Sequence, residues 1–354
     1  MAAGLGLIGL AFAGPASADT NIGSTTALAG VGSDTSQDVM EGLSGALGGG
    51  TSIANYKATG TATINTRGTA ACTFTRPNGS GNGLNALSAA IGGFAAFGSP
   101  GSLNGCVDFA RSSSGSNPST PPGGAVGQLT YVPFAVDSVT YAVLTVSNVP
   151  KNLNKSDLVD IYSRNTGNCL YLPLLPQAGS GTRNFFLGQL GFTSTTIGST
   201  GGPGTCVKDV NAANTPIQEH DGRFLVSPDN LVPISVGQNI AQASGIISDI
   251  RGRSSLGSID FTSAGVQGTS PYKLNVAFGF NRPLFNVIPT ATVGASGTVN
   301  GSNATLINST FVGSGSTVCS AAGQAIVNQY GFADIPAGYA GSGQCGDTSK
   351  KSTN

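Results

Sequence analysis

The sequence predicts an α/β protein, built either as two lobes of ordinary size or as one large α/β unit. Three observations carry this. The chain has 354 residues, too many for one small domain. Two stretches, near residues 30 and 180, pass from an apolar run through a turn of small residues into apolar positions at helical spacing. Two long runs, 129–146 and 276–288, are rich in β-branched and aromatic residues and read as buried strands.

Composition narrows the function. Sixteen basic and sixteen acidic residues make up only 9% of the chain and cancel. A nucleic-acid binder needs a basic surface to displace counterions from phosphates, and a polybasic membrane-surface protein needs clustered lysines and arginines. Neither fits, so no nucleic-acid or membrane-surface partner is expected. Disorder is also disfavoured, because 39% of the residues are hydrophobic. The 54 glycines point to tight turns and close backbone approaches.

Residues 1–18 read as a secretory signal peptide. A short apolar stretch from Leu5 to Ala13 leads into Ala16-Ser17-Ala18, a small-residue cleavage pattern that places the cut after Ala18, before Asp19. No basic segment leads it, which points to a start further upstream. No later run is apolar for eighteen residues, so no transmembrane helix is expected. No cysteine follows the cut to take a lipid. The six cysteines fit an exported chain with disulfides, for which fifteen connectivities exist. They fall into sequential couples, each bracketing a stretch rich in Gly, Ser, Asn and Pro. The pairing Cys72–Cys106, Cys169–Cys206 and Cys319–Cys345 is therefore expected, each bridge adding roughly 3–4 kcal/mol by restricting the unfolded chain. A zinc site is the rival; with no CxxC pair and one histidine, His220, no metal and no cofactor are expected.

The elements follow in order. Ala29-Gly30-Val31-Gly32 ends a strand, Ser33, Asp34 or Thr35 caps a helix, and Val39, Met40, Leu43 and Leu47 form its apolar face. Free N–H groups and the helix dipole make such a turn able to hold an anion. Residues 73–125 read as loops around a short strand ending at Val107 and Phe109. The Arg111-Ser112-Ser113-Ser114 run after it offers a guanidinium fork beside hydroxyls, suited to an oxyanion. Asp137-Ser138 interrupts the 129–146 run, as a kink or as a pair of site groups. Leu158, Ile161 and Tyr162 give a short helix capped by Ser156. A strand over 170–175 runs into Gly179-Ser180-Gly181-Thr182-Arg183 and a helix bearing Phe185, Phe186, Leu187 and Leu190. Residues 217–222, with Glu219-His220-Asp221, read as a polar turn. A strand and helix follow over 232–247. Residues 293–318 read as a surface loop, Ala325, Ile326 and Tyr330 as a last helix, and 346–354 as a disordered tail.

In that order, these pieces resemble the phosphate-binding receptors (substrate-binding proteins) of bacterial ABC phosphate transporters. The points of likeness are Gly32-Ser33-Asp34-Thr35, Asp108-Phe109-Ala110-Arg111-Ser112-Ser113, Val136-Asp137-Ser138-Val139, the helix at 153–162, Gly179-Ser180-Gly181-Thr182 before a Phe-bearing helix, Asn281-Arg282-Pro283-Leu284-Phe285, and Gly331-Phe332 with Pro336. They span most of residues 28–337. The low charge and the three disulfides are similar to an actinobacterial secreted branch. The resemblance implies a two-lobe type II periplasmic-binding-protein fold with an interlobe ligand cleft and two crossing strands, near Asp137 and near Arg282–Pro283. Lobe one is then 19–136 plus 285–345 and lobe two 137–284.

It also implies a ligand, inorganic phosphate or a related tetrahedral oxyanion, captured outside the cell by a monomer for an ABC transporter membrane complex. The matching positions give Ser33, Asp34 and Thr35 as one turn, Ser180, Gly181 and Thr182 as the facing turn, and Arg111, Ser112 and Ser113 closing from lobe one. Asp137 and Ser138 line the crossing, with Arg183 as an alternate charge partner. Two departures stand out. The family's arginine just before its Gly-Ser-Gly-Thr turn is missing from Leu175-Pro176-Gln177-Ala178, leaving Arg183 or Arg111 to supply the guanidinium. The family's proton-accepting aspartate is Ser113 here, leaving Asp34 or Asp137 to substitute. An enzyme is disfavoured: there is no G-x-S-x-G motif, and any Ser–His–Asp triad would need His220. A secreted receptor-fold protein with a structural, adhesive or scavenging role is the alternative.

Overall fold

The computed structural model describes residues 19, 23–47, 52–115, 128–266, 273–339 and 342–352. The expected signal peptide, residues 1–18, lies outside them. One mixed sheet of eight strands organises the chain. Its strands are β1 (Leu28–Gly32), β2 (Ile53–Asn55), β3 (Phe109–Ser112), β4 (Leu129–Leu144), β5 (Leu172–Pro173), β6 (Asn230–Ser235), β7 (Ser254–Leu256) and β8 (Asn281–Pro289). Their order is β2-β1-β3-β8-β4-β6-β5, with β7 also on β4. The helices are α1 (Gln37–Leu47), α2 (Ser80–Gly92), α3 (Lys155–Ser163), α4 (Gly181–Gln189), α5 (Val236–Ala243), α6 (Ala304–Phe311) and α7 (Ala321–Gln329).

The 129–146 run is one long strand, and it is shared. Residues from Leu129 to Ser138 pair antiparallel with β8, and Val139 to Val143 pair antiparallel with β6. The change of partner falls at Asp137-Ser138, opposite Arg282 and Asn281. On the β8 side, side chains alternate between two cores, as a strand's two-residue period requires. Val31, Ala110, Phe285 and Val287 pack under Leu84 and Leu87 of α2. Leu28, Phe109, Leu284 and Ile288 face α1, α6 and α7. On the β6 side, Val139, Tyr141 and Val143 pack with Leu158 and Tyr162 of α3, Phe186 of α4 and Ile240 of α5. The disulfides are Cys72–Cys106, Cys169–Cys206 and Cys319–Cys345, the sequential pairing.

Several expectations are corrected. The first loop region holds α2, whose first turn contains Gly81 and Gly83. Gly83 lies against β1, where a Cβ would come 2.5 Å from the Gly32 Cα, so packing wins over helix propensity. The expected surface loop at 293–318 holds α6, capped by Asn303 Oδ1 accepting from Leu306 N–H, with Ile307 and Phe311 buried one turn apart. The helix after residue 153 is capped at Asn154, not Ser156, with Asp157 accepting the Asn154 N–H at 2.8 Å. Helix α1 starts at Gln37, so Ser36 directly precedes it. The strand expected over 170–175 is only Leu172–Pro173, and the one over 276–288 begins at Asn281. The tail is not loose through residue 352: Tyr131 N–H donates to Lys350 O, and Ser352 N–H to Leu129 O, both at 2.9 Å.

Candidate functional site

The site lies where β4 changes partner, and the turns before α1 and α4 close over it. The α1 turn follows β1, whose apolar residues are all buried. In the α4 turn, Ser180 is the N-cap, its Oγ accepting from Arg183 N–H at 3.1 Å. Gly181 has to be glycine: a Cβ there would lie 2.2 Å from Ser113 Oγ and 2.5 Å from Ser80 Oγ. The two turns touch, with Thr35 Oγ1 and Thr182 Oγ1 3.4 Å apart. Gly81 N–H also donates to Gly179 O at 3.2 Å, and Gln238 Nε2 to Thr35 O at 2.6 Å.

At the centre is a carboxylate that sequence reasoning passed over. Glu219 Oε1 accepts from Ser180 Oγ and from Thr182 N–H at 3.4 Å. Its Oε2 accepts from Thr35 Oγ1 at 2.8 Å and Thr182 Oγ1 at 3.0 Å. The second missed residue is Arg282, 1% exposed. Its Nη2 donates to Thr182 Oγ1 at 2.9 Å and Thr35 Oγ1 at 3.2 Å, so both threonines relay its positive charge toward Glu219. Its Nη1 donates to Ser113 O at 3.3 Å, and its Nε and Nη2 reach Asp137 Oδ2 at 3.1 and 2.8 Å. Asp137 Oδ1 is fixed by Ser235 Oγ at 2.9 Å and Gly237 N–H at 3.0 Å. Both missed residues carried a signal. Arg282 is a charge at the head of an apolar strand, and Glu219 is one of few acids in a chain of low charge.

The other expected site residues divide. Ser33 Oγ donates to Ser113 Oγ at 3.1 Å, which keeps both beside Thr35. Asp34 faces His220, Oδ2 to Nε2 at 3.4 Å. Arg111 turns away. Its guanidinium donates to the carbonyls of Gly30, Gly32, Ser33 and Tyr56 and to Asn55 Oδ1. Those five contacts match its five N–H groups, so it has none left for a ligand. Arg183 also turns away, to Asp209 Oδ2 at 2.7 Å and the carbonyls of Pro176 and Thr195. Ser112 Oγ bonds Ser114 O, and Ser138 Oγ bonds Asn281 Oδ1.

Electrostatics follows from burial and neighbours. Burial alone would raise the Glu219 carboxyl; His220, then Arg282, with the Ser180 and Thr35 hydroxyls, outweigh it and hold the group below its ordinary pKa. Burial raises Asp34 despite His220 beside it. Burial would lower His220, but the carboxylates of Asp34 and Glu219 lift it above its usual value. Among the described residues no hydroxyl bonds either ring nitrogen of His220. Three hydroxyls, a backbone N–H and a guanidinium behind them are aimed at one oxyanion, the carboxylate of Glu219. That array can hold a small oxyanion of similar spread.

The sequence matches no protein-family profile and no curated protein. Among solved structures, a protein described as a phosphate ABC transporter substrate-binding protein from Clostridium perfringens, with phosphate bound, is similar at TM-score 0.51 and 16% identity, covering 88% of this chain and 100% of that one. An ABC-type phosphate transport receptor from Vibrio cholerae matches at TM-score 0.49 and 15% identity, covering 86% of this chain and 99% of its own. The chain has the α/β, two-lobe type II periplasmic-binding-protein fold, which it shares with the Clostridium perfringens protein.

Proposed function

We propose that the chain is an extracellular solute-binding protein that captures inorganic phosphate, or a related tetrahedral oxyanion, between its lobes. The lobes are assigned as 19–136 plus 285–345 and 137–284, with the crossings at Asp137-Ser138 and Arg282. One observation carries the reading: the donors of Ser180, Thr182 and Thr35 already converge on an oxyanion, supplied by the chain's own Glu219. The ligand takes that place, and the Glu219 side chain gives way. Ser33 and Ser113 complete the lobe-one wall, and Arg282, in place of Arg111 or Arg183, supplies the guanidinium. The resemblance in sequence and the phosphate bound to the Clostridium perfringens protein both favour phosphate.

Delivery to an ABC transporter complex is the role such a receptor serves. Export through the signal peptide cut after Ala18 agrees with three disulfides, which persist in oxidising compartments. No helix among the described residues is long and apolar enough to cross a membrane. The reading is of a binder, not an enzyme, since His220 meets carboxylates instead of a nucleophile. Calorimetric titration with phosphate, sulfate and arsenate tests it. Micromolar or tighter phosphate binding is expected. Silence with all three would leave Glu219 as the permanent occupant and favour a structural or adhesive role.

A further inference from the structure

Every cysteine here is tied in a disulfide, so no thiolate is offered to a metal. Without a CxxC pair and with one histidine, the sequence shows no zinc pattern. The fold assembles a different ligand set. Asp34, Glu219 and His220 each present one ligand atom, all buried and all within 4.8 Å of one another. His220 Nε2 stands 3.4 Å from Asp34 Oδ2 and 3.8 Å from Glu219 Oε2. Donors held about 2.1 Å from a tetrahedral ion lie roughly 3.4 Å from each other, close to these separations.

The imidazole itself points to a ligand. His220 is 4% exposed; among the described residues Nδ1 has no hydrogen-bond partner, and Nε2 meets only the carboxylates of Asp34 and Glu219. A metal ion at Nε2 would bridge the imidazole to both carboxylates, which it now meets only at long range. We propose that Asp34, Glu219 and His220 hold a divalent first-row transition ion, of which zinc is the type, beside the oxyanion site. One imidazole and two carboxylates suit such an ion; calcium and magnesium favour six or more oxygens. A cleft of about 820 Å³, lined by all three residues together with Gln238 and Gln242, gives the ion a way in.

The ion's role rests on the oxyanion reading above; its binding does not. Two carboxylates are offset by a double positive charge. The ion thus adds positive charge to that of Arg282, which reaches the same threonines. Three protein ligands leave a tetrahedral ion one open position. Glu219 belongs to both places, since its Oε2 also accepts from Thr35 and Thr182. A carboxylate drawn to the ion releases those hydroxyls to an incoming anion, so zinc strengthens phosphate binding.

The test uses the secreted chain after chelator treatment, titrated with zinc chloride in phosphate-free buffer. One equivalent is expected to bind at micromolar or tighter affinity, and Asp34→Asn and His220→Ala should each weaken it by about a hundredfold. No uptake, or uptake undiminished in these variants, overturns the site. Near-UV circular dichroism checks each fold, and the nearly isosteric Asp34→Asn decides if His220→Ala does not fold. Phosphate is then titrated into metal-free and zinc-loaded protein. Phosphate binding without zinc uptake overturns the metal site and leaves the capture reading intact. Zinc uptake with no phosphate binding in either form does the reverse. Phosphate affinity unchanged by zinc overturns the coupling.

Discussion

Two arginines on neighbouring strands, Arg111 on β3 and Arg282 on β8, are both almost wholly buried, at 0% and 1% exposure. They have opposite work. Arg111 ties the end of β1 to the end of β2 and to Tyr56 beyond it through four carbonyls and Asn55 Oδ1, with no carboxylate bonded to it among the described residues. Burial pulls its guanidinium down to about 10. Arg282 is paired with Asp137 and turns Nη2 to the threonines of both closing turns. Burial does not separate a structural arginine from a site arginine. What separates them is where the N–H groups end: on carbonyls that cannot leave, or on hydroxyls that can pass the charge to a ligand.

Replacing each arginine with lysine keeps the charge and removes the fork, which sharpens that contrast. The largest effect is expected on stability, from Arg111→Lys. Three donors cannot serve five acceptors, and buried carbonyls left without partners cost about 1–3 kcal/mol each. A loss of about 3 kcal/mol is expected in chemical denaturation, with phosphate affinity per folded molecule unchanged. If the variant keeps its denaturation midpoint but loses phosphate, Arg111 is a site residue and the contrast fails. Arg282→Lys should do the opposite. Its remaining charge still faces Asp137, so the midpoint moves less, while phosphate affinity drops about thirtyfold, or about 2 kcal/mol. Equal loss of affinity in both variants would erase the distinction.

The sequence shows the two closing turns clearly and the charges between them poorly. Gly32-Ser33-Asp34-Thr35 and Gly179-Ser180-Gly181-Thr182 are legible because a local pattern makes them: glycine, hydroxyl, then apolar residues one helical turn apart. Asp137-Ser138 is legible because a charge inside an apolar strand needs a reason. The direction of an arginine is not local. Arg111 stands beside three serines that suggest an anion, yet its partners come from residues 30–33 and 55–56, and only the folded sheet brings those near. Glu219 is hidden for the same reason. It is 37 residues beyond Thr182 and 184 beyond Thr35, and nothing in its own turn announces either contact. Helices α2 and α6 are hidden differently, because glycine and asparagine lower local helix propensity and tertiary packing restores it.

Glu219 offers the next test, with a smaller effect and an unusual sign. If its carboxylate stands in for the ligand, Glu219→Ala empties the site and removes a negative charge. Phosphate should then bind about tenfold more tightly to the metal-free protein, about 1.4 kcal/mol. Weaker binding would recast Glu219 as the acceptor for a protonated phosphate. Arg282 would then be one half of the site and Glu219 the other.

The smallest effect separates two serines with the same local job. Ser180 caps α4 by accepting from Arg183 N–H and hands its own proton to Glu219. Ser235 caps α5 by accepting from Gln238 N–H and hands its proton to Asp137. Replacing either with alanine should cost about 1 kcal/mol of stability through the lost cap, read as similar shifts in denaturation midpoint. Their effects on phosphate should differ. Ser180 Oγ points where the ligand would lie, so Ser180→Ala weakens binding severalfold. Ser235 reaches the ligand only through Asp137 and Arg282, so Ser235→Ala changes it little. Matching losses of affinity would mean that Asp137, and not the α4 turn, sets the strength of the site, and that Arg282 acts mainly through the carboxylate behind it.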